Sequence, residues 1–97
     1  MAKPLDSADR ELMAKVGETV SSIFGAIELA YSVEGLLIYG LSRIGRRPCT
    51  LQIEHTWAQD NQENLKSALN RLKLEIDLLR SKGKYYVTVG KDGVVAD

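Results

Sequence analysis

The sequence is poor in the residues that build covalent or metal-held structure. Among 97 residues there is one cysteine, Cys49, and one histidine, His55. A lone cysteine excludes an intrachain disulfide and any thiolate metal cluster, and it suits a reducing, cytoplasmic setting. A metal site needs at least three ligands, and one histidine among scattered carboxylates does not supply them. No GxGxxG, GxxxxGK[ST], GxSxG or HExxH pattern occurs, so no cofactor is expected. Charge of one sign is also missing: 13 basic residues balance 13 acidic ones. The chain therefore has no global pull toward nucleic acid or anionic membranes. A long charge-free apolar run is absent too, since Glu28, Glu34 and Arg43 interrupt residues 20–44. Charges at the bilayer centre are costly, so no membrane span is expected there. The opening MAKPLDSADRE carries no apolar stretch of the kind a secretory signal needs.

What the chain does have is apolar residues at alternating steps of three and four. Met13, Val16, Val20, Ile23, Ile27, Ala30, Leu37, Leu41 and Ile44 follow this spacing, with Glu34 as the one polar position. Such a stripe predicts one helix from about Ala8 to Ile44, with one face against a partner helix. At about 1.5 Å per residue that helix would be roughly 55 Å long. A domain of this size has a radius of gyration of about 12–13 Å. Either the helix breaks near its glycines, with a kink around Ser32 to Gly35 that folds it back on itself, or a second copy covers the surplus. The expected dimer or partner interface is Val16, Val20, Ile23, Phe24, Ile27, Tyr31, Glu34, Leu37, Ile38 and Leu41. Glu34 would fix register within that seam, or point into solvent if the helix breaks there.

Gly45 followed by Arg46, Arg47 and Pro48 reads as a helix stop. From Cys49 to Trp57 apolar and polar residues alternate, which predicts a strand over about 49–57. A heptad through Leu51, His55, Ala58, Gln62, Leu65 and Leu69 offers the alternative of one helix from Pro48 to Arg80. Leu65, Leu69, Leu72, Ile76 and Leu79 form the stripe of a second helix, capped by Asp60 or Asn61 and ending before Ser81-Lys82-Gly83. Asp92-Gly93 between apolar runs predicts a hairpin over about 85–96.

Cys49 and His55 would stand about 20 Å apart on one strand, too far to act as a catalytic couple. No catalytic residue is expected. Arg43, Arg46 and Arg47 form the one dense basic cluster, a possible contact for nucleic acid or an acidic partner. The expected fold is α+β within one domain, 1–97, after a polar lead at 1–7. It comprises two long amphipathic helices packed as a hairpin with a short antiparallel sheet. The alternative is a mainly α hairpin carrying a C-terminal β-hairpin. The function expected is non-catalytic regulation by protein–protein contact: a homodimeric adaptor, anti-activator or inhibitor that sequesters a larger protein. Two other classes stand beside it. One is a dimeric DNA-binding regulator using the basic cluster. The other is a small dimeric enzyme using His55 with Glu54 or Glu34.

Overall fold

A computed structural model describes the backbone of residues 7–25, 27–33, 35–44 and 47–96, and the side chains of 10–25, 30–33, 35–41 and 49–96. Helix α1 spans Ser7–Phe24 and is followed by strands β1 (Ile27–Val33), β2 (Leu36–Ile44) and β3 (Arg47–Glu54). Two helices come next, α2 (His55–Asp60) and α3 (Leu65–Ser81). The hairpin β4 (Tyr86–Gly90) and β5 (Gly93–Ala96) completes one five-stranded sheet in the order β1-β2-β3-β4-β5. All neighbours are antiparallel except β3 and β4, which run parallel because α2 and α3 carry the chain back across the sheet.

This architecture corrects the expected two-helix hairpin with its short antiparallel sheet, and the mainly α alternative with it. The class is α+β, but the sheet is larger, mixed and central. The single helix over Ala8–Ile44 does not exist: α1 ends at Phe24, and two strands replace its second half. The radius of gyration of 12.5 Å shows how the mismatch in length is resolved. The chain folds back on itself at Gly35, whose φ of +82° no β-branched or bulky residue adopts without strain. Nothing lies within 4 Å of where a Cβ would stand on Gly35, so the cost of a side chain there is conformational. We expect Gly35→Ala to lower the unfolding free energy by about 1 kcal/mol, read as a shift in the urea midpoint at constant slope.

The strand expected to reach Trp57 stops at Glu54, where α2 begins. The His55 N–H donates to the Gly35 carbonyl at 2.8 Å, tying the start of α2 to the β1–β2 connection. Asp60 closes α2 and Asn61 is its C-cap, so neither caps the following helix. The N-cap of α3 is Asn64, without a side-chain capping bond.

The core lies between the helices and one face of the sheet. Register places Leu37, Ile53 and Val89 in one row across β2, β3 and β4. Tyr39, Leu51 and Val87 make the next row, and Leu41 stands opposite Cys49. All eight are buried, in one cluster with Leu12, Val16 and Val20 of α1, Ala58 of α2 and Leu65, Leu69 and Ile76 of α3. Alternation along the strands follows from this: every second residue meets the helices, and the rest face the other way. Tyr39 is the largest fully buried side chain, and its hydroxyl donates to the Met13 carbonyl at 2.8 Å. The sheet is thereby linked to α1 by a polar bond inside an apolar core.

Candidate functional site

The outer face of the sheet carries the residues that the alternation leaves over. One row runs the full width of the sheet: Tyr31, Ile38, Gln52, Thr88 and Val95 in register from β1 to β5. Beside it, Val33 pairs with Leu36 and Leu36 with Glu54, while Thr50 pairs with Tyr86 on the other side. Tyr31, Val33, Tyr86 and Val95 are 41%, 38%, 51% and 57% exposed, whereas Ile38 within the row is buried. The Thr88 hydroxyl donates to the Gln52 amide oxygen at 3.1 Å, which fixes the polar centre of the row.

Charge is nearly absent from this face. Among its described residues only Glu54 is ionisable to an anion at neutral pH, and its carboxylate lies over Gly90, where a Cβ would collide with it. The charges sit instead on the helices: Arg10, Glu11, Lys15 and Glu18 of α1 and Lys66, Arg71 and Glu75 of α3 are exposed. Among the described residues, charge thus solvates the helical layer far more than the sheet layer. Around the polar Gln52–Thr88 centre, the described part of this face exposes large apolar side chains and one carboxylate.

The residues expected to form a helical interface are distributed differently. Val16, Val20, Leu37 and Leu41 are sealed in the protein's own core, with exposures of 0–1%. Ile23 and Phe24 pack against the same core. Of the expected set, Tyr31 and Ile38 belong to the outer row. Ile27 is on β1, opposite Leu41, and its side chain lies outside the described residues. Glu34 and Arg46 also lie outside them, as do the side chains of Arg43 and Arg47, so a basic cluster is not part of the described surface. Sequence reasoning missed Val33, Tyr86 and Val95 as surface residues. The alternation of the C-terminal hairpin carried a signal for Tyr86 and Val95 singly, but none that joins them to Val33 of β1.

Cys49 is buried on the core face, where desolvation raises its thiol pKa above the usual value while the nearby Arg80 guanidinium pulls it down. A thiol held protonated is a poor nucleophile. Arg80 is itself buried and pairs with Asp77 at 3.4 Å. No group of three potential metal ligands occurs among the described residues, and no described helix is long and apolar enough to cross a membrane. A cavity of about 260 Å³ between α2 and α3 is lined by Trp57, Asn61, Ala68, Arg71 and Leu72. Arg71 is the one charged residue among that lining. Comparisons of this chain with protein-family models, curated proteins and solved structures find no match.

Proposed function

We propose that the protein works by non-catalytic protein–protein contact, as a small regulatory adaptor, anti-activator or inhibitor that holds a larger partner. The observation that carries this reading is the uncovered sheet face, with Tyr31, Val33, Tyr86 and Val95 exposed and almost no charge among them. Tyrosines on a rigid, apolar background are residues that contribute strongly at interfaces, because they bury a large area at little entropic cost. The contact surface is therefore the sheet, and the helical stripe serves the core. The buried free Cys49 suits a reducing, cytoplasmic setting.

The test compares the unaltered chain with a Tyr86→Lys/Val95→Lys double variant. Both sites are exposed on strands, so the circular dichroism spectrum and thermal midpoint are expected to stay within a few degrees. A partner captured by the unaltered chain, then purified and titrated against both proteins, is expected to bind the variant at least tenfold more weakly, or about 1.4 kcal/mol. Undiminished binding would remove the sheet face from the function. Tight, salt-sensitive binding of duplex DNA by the unaltered chain would replace the reading with the DNA-binding one.

A further inference from the structure

We infer that α3 docks the α3 of a second copy of this chain, the two helices antiparallel about a two-fold axis midway between Arg71 and Glu75. The inference goes beyond the proposed sheet-face contact and uses the other, helical layer. Leu65, Ala68, Leu69, Ile76 and Arg80 form the buried side of α3. On its far side Leu74 is 84% exposed and Leu78 54%, and Leu74 is the most exposed large apolar residue among those described. Ser67, Arg71, Leu74, Leu78 and Ser81 recur at alternating steps of four and three, and all five are exposed. Such spacing keeps one stripe turned toward a second helix along its whole length.

The charges beside the stripe say what covers it. On one flank Asp77 pairs within the helix, with Lys73 and Arg80. Arg71 and Glu75 are four apart and exposed, yet they form no ion pair with each other or with another described residue. The order, a cation preceding its carboxylate, is the weaker one for a pair within a helix. A second copy supplies the missing partners. About the stated axis, Arg71 of each helix stands opposite Leu74 of the other, with its guanidinium beside the other's Glu75. Two reciprocal ion pairs then flank the Leu74 side chains, which meet across the axis, and Leu78 packs on Ser67 of the copy. A register one heptad along stacks Leu74 on Leu78. It also sets Arg71 against Lys82, the C-cap, and brings the two Glu75 carboxylates together. A parallel pair sets Arg71 beside Arg71. The stripe is thus complementary to its own copy in the first of these arrangements.

At about 1.5 Å per residue the stripe from Ser67 to Ser81 extends for about 21 Å. One helix pair of that length is small beside the roughly 800 Å² per partner of a standard interface, so the dimer is a weak one, with a Kd on the order of 100 μM. Because α3 lies on the side of the sheet away from Tyr31, Tyr86 and Val95, both outer faces stay open. The dimer therefore offers a larger partner two copies of the contact surface.

Sedimentation equilibrium from about 10 μM to about 1 mM is expected to show the 10.7 kDa monomer passing into a dimer. Leu74→Lys, at a solvent-exposed site, is expected to keep the circular dichroism spectrum and to leave only monomer throughout that range. Arg71→Glu and Glu75→Arg each set like charges across the axis, and each is expected to weaken the dimer about tenfold. The double change Arg71→Glu/Glu75→Arg restores opposite charges and is expected to recover the affinity. Monomer alone at about 1 mM, a dimer indifferent to Leu74→Lys, or a double variant as weak as the single ones would overturn the inference. Failure of the two readings is separable: Leu74→Lys tests assembly alone, whereas Tyr86→Lys/Val95→Lys tests the partner's grip with the dimer intact.

Discussion

Replacing Tyr39 by alanine is expected to lower the unfolding free energy by about 3–5 kcal/mol, the range for emptying a buried aromatic site. A domain of this size has a total stability of about 5–15 kcal/mol, so the loss is a large fraction of it. Tyr39 sits mid-sheet with no exposure, between Ala30 and Leu51 on the neighbouring strands and beneath α1. Truncation removes the ring, the contacts to the helix and the bond to the Met13 carbonyl together. Tyr39→Phe separates these contributions, since it keeps the ring and deletes only the hydroxyl. Its expected cost is about 1 kcal/mol, the net worth of one hydrogen bond. Urea unfolding of the three proteins at pH 7 checks both values. A phenylalanine variant as damaged as the alanine one would show that the bond, and not the packing, holds α1 to the sheet.

Stability is also expected to collapse in alkali. Burial pushes the Tyr39 phenol well above its ordinary value of 10.0, because the phenolate would lose its hydration inside the core. Cys49 shifts in the same direction from 9.0, mainly by desolvation. For both groups the unfolded chain releases its proton at a lower pH than the folded one. Below about pH 9 neither site affects the balance. Above it the unfolded state is favoured first by thiolate formation and then, beyond pH 10, by the phenolate. Each such group removes about 1.4 kcal/mol per pH unit while its folded form stays protonated. Urea midpoints measured from pH 7 to 11 should therefore be level at first and then fall. Tyr39→Phe should flatten the part of the decline beyond pH 10, and Cys49→Ser the part that begins near pH 9. A decline unchanged in both variants would place the alkali-sensitive groups elsewhere.

The false helix over Ala8–Ile44 has a specific physical origin. Residues four apart lie on one face of a helix, but they also share a face in a strand, where the period is two. Leu37 and Leu41 satisfy both patterns. Ile27 and Ala30, three apart, should fall on opposite faces of a regular strand. The bulge between them inserts one extra residue, so both pair with residues of the core face, Leu41 and Tyr39. A bulged hairpin thus imitates a heptad. The turn at Gly35 was legible in part, as a kink around Ser32 to Gly35, since Gly35 stands between two apolar runs of high β-propensity. The heptad spacing hid only that strands, and not a second helix, follow the break.

Other elements were easier to read. The stripe of α3 is long and carries no β-branched cluster, and Asp92-Gly93 lies between valine-rich runs. The parallel partnership of β3 and β4 was not legible, because no local signal specifies which strand a hairpin joins. The contact surface was unreadable for the same reason. Tyr31, Tyr86 and Val95 come together only once that partnership fixes the order of the strands.

The same parallel junction imposes an order in time. The strands β1, β2 and β3 follow one another with short connections and can pair as soon as they leave the ribosome. The inner edge of β3, however, must wait for β4, whose first residue lies 32 positions beyond the end of β3. The Thr50 N–H finds its acceptor, the Tyr85 carbonyl at 2.7 Å, only once Tyr85 has been made. Until then the growing polypeptide displays Leu51 and Ile53 along an unpaired strand, the condition under which nascent chains aggregate or recruit chaperones. The centre of the finished sheet is therefore its most vulnerable line during synthesis.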